Sequence, residues 1–148
     1  MKKNGRRFIS GLLLACMIMS LCSAFASAAY IPPDDTESSA YLESYMAAVT
    51  VNGNKVYVSI DVNAVVYASE VGAKTIYLYE STNGTSFTRV AIYNSSSYPN
   101  MLCSGWSYCD TPVEYNGVAG RYYYAAVKCY AGDSTGGDSR WYDTATAH

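Results

Sequence analysis

Apolar and polar residues alternate with a period of two along most of the chain after residue 40. This period is typical of strands with one buried face. The clearest case is residues 56–63, where Val or Ile occupies one parity and Tyr, Ser, Asp or Asn the other. Residues 76–79 repeat the alternation with Ile and Leu against tyrosines. No stretch keeps helical spacing for three turns, so the pattern predicts an all-β chain.

Turn-forming dipeptides divide this pattern into short strands. Asn52-Gly53 and Asn83-Gly84 are strong hairpin signals, because both residue types accept positive φ. Residues 68–72 are expected to turn a corner, and residues 94–100 and 132–137 to form loops. In the first strand, Leu42, Met46 and Ala48 share one parity. The predicted strands begin near residues 41, 56, 76, 87, 101, 122 and 140.

Two of these segments resemble strands of known domains. The run Ile76-Tyr77-Leu78-Tyr79-Glu80-Ser81, followed by Asn83-Gly84, Phe87 and Val90, resembles the third-strand hairpin of fibronectin type III and related immunoglobulin-like domains. The run Gly120-Arg121-Tyr122-Tyr123-Tyr124-Ala125-Ala126-Val127 resembles their sixth strand, which is entered through a tyrosine corner. The resemblance implies a single immunoglobulin-like (fibronectin type III-like) antiparallel β-sandwich of about seven strands. The chain also resembles small secreted bacterial proteins of uncharacterised function, which implies a location and a fold but no activity.

The tyrosine-rich strand can be sorted into two faces. Val127 is apolar and Lys128 is charged, so the parity of Val127 should point inward together with Tyr123, Ala125, Cys129 and Ala131. Tyr123 is then expected to pack its ring in the core and to bond its hydroxyl to the backbone.

The opposite parity defines a candidate binding face. If the third and sixth strands are neighbours, five outward tyrosines share one sheet face: Tyr77, Tyr79, Tyr122, Tyr124 and Tyr130. Cross-strand aromatic pairs of this kind stabilise a sheet in water without any ligand. The same rings could instead offer rigid, amphipathic contact area to a cell-surface glycan or protein. No clear concentration of charge is expected there. The sequence also leaves open whether Trp106 and Trp141 are exposed, and an exposed tryptophan would favour stacking on a sugar.

The first 29 residues have the layout of a secretory signal peptide. Four basic residues precede an apolar stretch from Phe8 to Cys22, and small residues close it at Ala26-Ser27-Ala28. We expect cleavage after Ala28 or Ala29, then an acidic, flexible lead-in over residues 30–39 and one domain over residues 40–148. The expected location is extracellular, as a freely secreted protein.

Removal of the leader leaves an acidic protein. All twelve acidic residues follow it, whereas four of the ten basic residues lie within it, so the remainder carries a net charge of −6. Nucleic acids and anionic membranes recruit clustered Lys and Arg. We therefore expect neither nucleic acid nor, after cleavage, a membrane as partner.

Three cysteines remain after the leader, an odd number for an oxidising compartment. A disulfide between Cys103 and Cys109 is favoured narrowly, provided that Ser104-Gly105 makes a turn, because an extended strand would hold them about 20 Å apart. The alternative pairs Cys109 with Cys129. Cys129 is otherwise expected to be a small buried side chain.

Few residues of the sequence are suited to catalysis or to metal binding. The one histidine, His148, is the last residue, and no paired CxxC spacing exists. This argues against a histidine-activated nucleophile and against zinc. The acidic residues Asp61, Glu70, Glu80, Asp110 and Glu114 show no sign of convergence. We therefore expect no enzyme, no cofactor and no metal. The favoured function is a non-catalytic extracellular binding module, with a secreted toxin or inhibitor as the alternative.

Overall fold

A computed structural model describes residues 39–148, and the expected leader and nearly all of the lead-in lie outside that range. The described part is all-β, which confirms the predicted class, and it contains no helix long and apolar enough to cross a membrane. A 3-10 turn spans Pro99–Met101. The six strands are β1 (Leu42–Asn52), β2 (Lys55–Ser81), β3 (Thr88–Asn94), β4 (Leu102–Asn116), β5 (Tyr122–Asp133) and β6 (Gly136–Asp143).

The long strand β2 organises the molecule. Its 27 residues contain both segments predicted as separate strands, 56–63 and 76–79. The first part of β2 pairs with β1 and β4, and the second part pairs with β3 and β5, with β6 beyond β5. All pairings are antiparallel, and the sheet curls so that both parts contribute to one core. The strand count is therefore six rather than about seven.

A glycine permits the curl. Gly72 has φ +139°, and a Cβ at this position would lie 2.2 Å from the Met101 backbone oxygen. The predicted corner at residues 68–72 thus exists as a bend within β2, not as an end of a strand. The bend lets one strand serve both halves of the sheet.

The core confirms most of the predicted alternation. Almost no surface is exposed at Val58, Val62, Ile76 and Leu78. The inward-facing residues of β5 are buried as well. The first strand departs from expectation. Leu42 is buried but Met46 and Ala48 are exposed, because a bulge between Leu42 and Ser44 reverses the parity that follows.

One of the predicted turns is confirmed and another is shorter than predicted. Asn52 pairs directly with Lys55 in a two-residue hairpin, as the Asn-Gly signal predicts. Residues 132–137, expected to be a loop, instead belong mostly to paired strand, since the β5–β6 ladder runs out to Asp133 and Gly136. The local composition correctly indicated a turn within residues 132–137, but the turn is shorter than the predicted loop.

Candidate functional site

The five tyrosines of the predicted binding face do lie on one side of the sheet. Tyr77 and Tyr79 are on β2, and Tyr122, Tyr124 and Tyr130 are on the outward parity of β5. Tyr79 pairs directly with Tyr124 in register. The predicted adjacency of the two tyrosine-bearing segments is therefore confirmed.

The rings stack on one another instead of lying flat toward solvent. The Tyr79 and Tyr124 rings are nearly parallel with centroids 4.6 Å apart, and Phe87 packs edge-on against Tyr124 at 4.8 Å. Only 2% of Tyr79 is exposed. Burial, followed by the charges of Tyr79 and Asp143, raises the pKa of Tyr124 to about 12. This pair therefore belongs to a covered aromatic layer.

A second stack crosses the central strand of this face. Tyr77 on β2 stacks with Trp141 on β6 at 5.4 Å, although β5 runs between them. The β5 residue in register with Tyr77 is Ala126, whose small side chain leaves room for the two rings to meet and is fully buried. The Arg89 guanidinium lies 5.1 Å from the Tyr77 centroid and the Lys128 ammonium 6.0 Å from that of Trp141. We call this row of Arg89, Tyr77, Trp141 and Lys128 the cation–aromatic ladder.

Each of the remaining two tyrosines also contacts another side chain. Tyr122 stacks on His148 at 4.3 Å, and the Lys74 ammonium lies 4.3 Å from the Tyr130 ring centroid. These contacts support the interpretation that the face is stabilised by its own cross-strand pairs. A ligand on the five tyrosines stays a prediction.

A different surface exposes large apolar side chains. Val65, Val66, Tyr67 and Trp106 are exposed by 49%, 41%, 59% and 59%. They lie at the break in the β2–β4 register between Asn63 and Ala68, and we call these four residues the exposed tip. Trp106 is thus among the exposed residues, a point that the sequence left open.

The tip is produced by a mismatch in strand length. Between the pairs Asp61–Cys109 and Val71–Cys103, β2 advances ten residues whereas β4 advances six. Three of the four surplus residues of β2 fall between Asn63 and Ala68, and the fourth falls between Ala68 and Val71, so the β2–β4 register is interrupted at both places. Bulges of this kind redirect side chains and are common beside functional sites.

The tip is held together by an aromatic contact and carries no charge. The Tyr67 and Trp106 rings meet edge to face, with centroids 6.3 Å apart and planes at 81°. Gly105, before Trp106, has φ +153°. Apolar side chains grouped on a surface commonly mark an interaction site, because exposing them to water is unfavourable.

The sequence contained a signal for the tip that the strand interpretation did not use. Residues 64–67 read Ala-Val-Val-Tyr, a run without polar residues. In a strand with one buried face, such a run must leave at least one large apolar side chain outside. The run therefore indicated a break in the alternation.

A shallow groove of about 490 Å³ lies on the half of the sheet formed by β1, β2 and β4. Asp61 and Asp110 both line it, together with Cys109. The other three carboxylates form ion pairs: Glu70 with Lys74, Glu80 with Arg121 and Glu114 with Lys55. Within residues 39–148, no group of three or more His, Cys, Asp or Glu side chains is arranged to hold a metal.

The three cysteines are separate thiols in this structure. Cys103 and Cys109 are exposed, and the Cys103 thiol donates to the Ser107 carbonyl oxygen at 3.4 Å. Cys129 is fully buried, as expected, and burial raises the pKa of its thiol to about 12. A Cys109–Cys129 bond would have to join an outward side chain to the core. The Cys103–Cys109 bond stays a prediction.

Comparisons with known proteins give no assignment: no protein-family model, no curated protein and no solved structure matches the chain.

Proposed function

We propose that the chain is a secreted, non-catalytic binding module that contacts a neutral cell-surface glycan or protein through the exposed tip. One observation carries the proposal: four large, uncharged side chains, two of them aromatic, are grouped in solvent. Tyrosine and tryptophan are the residues that most often anchor such contacts. The predicted leader supports an extracellular location, and the four side chains of the tip, which carry no charge, favour a neutral partner there.

We further propose an immunoglobulin-like arrangement for the domain. Two features support it: two parts of one curled sheet that share a core, and a buried tyrosine at the start of β5 whose hydroxyl accepts a hydrogen bond from the Val118 N–H at 2.7 Å. This description adds no activity to the binding role.

Binding through the tip is tested with matched pairs of substitutions. The double variant Tyr67→Ser, Trp106→Ser and the single variant Val66→Ser are compared with Val118→Ser, since Val118 is a valine exposed by 49% outside the tip. Binding of each purified protein to neutral polysaccharides and to intact cells is measured, with circular dichroism to establish folding.

We expect saturable binding that falls about tenfold or more in the double variant, a change typical of losing aromatic anchors. Val118→Ser should bind like the wild type. Equal losses in Val66→Ser and Val118→Ser, or full binding by the folded double variant, would rule out the tip as the contact surface.

A further inference from the structure

We propose that the cation–aromatic ladder is a second binding site, for a linear polysaccharide that bears carboxylate groups. In this site Arg89 and Lys128 contact carboxylates, and the Tyr77 and Trp141 rings contact the sugar. The site is independent of the exposed tip and does not rest on the function proposed for it.

The first argument is the state of the basic side chains. Six Lys and Arg residues occur in residues 39–148. Three of them form ion pairs with glutamates, and Arg140 lies near enough to Asp138 to lower its pKa. Arg89 and Lys128 have no carboxylate partner within this range. Both of these cations belong to the ladder, Arg89 beside Tyr77 and Lys128 beside Trp141.

The second argument is that these cations are already positioned. A cation above an aromatic ring is attracted by the ring face and keeps its N–H groups available at the edge. Side chains held this way lose less conformational entropy on binding than free lysines and arginines. Arg89 on β3 lies against Tyr77, and Lys128 on β5 lies against Trp141, so each cation is held by one ring of the Tyr77–Trp141 stack.

The third argument is charge complementarity, which also selects the polymer. Asp61, Asp110 and Glu114 belong to the other half of the sheet, whereas Asp143 is in register with Ala126 and therefore lies beside the ladder. A protein that is acidic overall repels nucleic acid, which carries a charge about every 1.7 Å. A polysaccharide with one carboxylate per sugar is less densely charged, so two fixed cations can hold it locally.

The test uses polygalacturonate, with its fully methyl-esterified form as the uncharged control polymer. Affinity of the purified protein is measured at low and at high salt. Arg89→Gln and Lys128→Gln are compared with Lys55→Gln, which removes the same charge from the other half of the sheet. Poly-glutamate and single-stranded DNA serve as polyanions without sugar rings or with denser charge.

We expect salt-sensitive binding of polygalacturonate that weakens about threefold in each ladder variant and about tenfold in the double variant. Lys55→Gln should bind like the wild type, and Asp143→Asn should bind more tightly because it removes a nearby negative charge. The proposal is overturned by no binding of polygalacturonate at low salt, or by equal binding of the methyl ester. It is likewise overturned if Lys55→Gln loses as much affinity as the ladder variants, or if poly-glutamate or DNA binds as well.

Discussion

At the scale of single residues, Tyr123 is the side chain whose role the sequence indicated best. Its ring is fully buried, and its hydroxyl accepts from the Val118 N–H at 2.7 Å and donates to Glu80 Oε2 at 2.6 Å. Burial and the hydrogen bond to Glu80 raise its pKa. Glu80 also pairs with Arg121, so the hydroxyl joins the loop before β5 to the end of β2.

Removing this hydroxyl should destabilise the protein. In Tyr123→Phe the Val118 N–H and the Glu80 carboxylate each lose a partner in a poorly hydrated place. We expect the free energy of unfolding to fall by about 1–3 kcal/mol. Urea denaturation measures it, with Tyr122→Phe as control, because the Tyr122 hydroxyl makes no hydrogen bond within residues 39–148. Equal stability of the two variants would contradict the role given to the Tyr123 hydroxyl.

At the scale of elements, the continuity of β2 was the feature that local pattern did not indicate. Residues 56–63 and 76–79 each read as a complete strand, because each alternates cleanly and turn-like residues separate them. In the structure the two segments belong to one continuous strand, which pairs with β4 before the bend and with β5 after it. The exposed tip also depends on this register, because β2 has surplus residues opposite β4 between Asn63 and Ala68.

Substitution of Gly72 should damage this bend. In Gly72→Ala the new Cβ meets the Met101 carbonyl oxygen at 2.2 Å, and the backbone would keep a φ of +139° that alanine disfavours. We expect a loss of about 2–4 kcal/mol in unfolding free energy. Gly53→Ala is the matched control: φ is +63° and no atom lies within 4 Å of the Cβ, so about 1 kcal/mol is expected. A smaller loss at Gly72 than at Gly53 would exclude the clash as the cause.

At the scale of the whole molecule, one carboxylate connects the start of β1 to β6. Asp138 Oδ2 accepts hydrogen bonds from the Ser39 hydroxyl at 2.7 Å, the Ala40 N–H at 2.7 Å and the Tyr41 N–H at 3.0 Å. The Ser39 hydroxyl, and next the Tyr41 N–H, lower the pKa of Asp138 below its ordinary value of 3.8. Contact between the two halves of the sheet continues at Tyr45 and Tyr142, whose rings meet edge to face at 6.4 Å.

The lowered pKa gives a prediction for stability in acid. Because the folded-state pKa lies below the unfolded one, the stabilisation is complete above pH 3.8 and is lost as the pH falls through the folded-state pKa. Asp138→Asn should therefore lower stability at neutral pH and reduce the further loss on acidification. Urea midpoints at neutral pH and below pH 3.8 measure both effects, which solvent screening at this surface site keeps small.

The partner of Asp138 supplies the control for this prediction. In a Ser39→Ala background the largest contributor to the lowered pKa is absent, so Asp138→Asn should change the acid sensitivity less. Identical acid sensitivity of the wild type and Asp138→Asn would contradict a link through this carboxylate.

What the sequence predicted correctly follows from local physical chemistry. Alternation placed the inward parities of β2 and β5, and the Asn-Gly dipeptides marked hairpins, since both depend on neighbouring residues alone. The shared face of the five tyrosines followed from parity together with the strand adjacency that the resemblance implied. An exposed position for Trp106 was one of two open alternatives.

The tertiary structure decided the features that depend on partners distant in sequence. The bulge after Leu42, the passage of β2 through its bend and the surplus residues that form the tip are properties of register between strands. The stack of Tyr77 on Trp141 requires β6 to lie two strands from β2 with Ala126 between them. By itself, then, the sequence determined an all-β chain and the inward side of its main strands. Which outward side chains are covered by stacking and which stay in solvent depends on how the strands are placed against each other, and only the tertiary structure decided it.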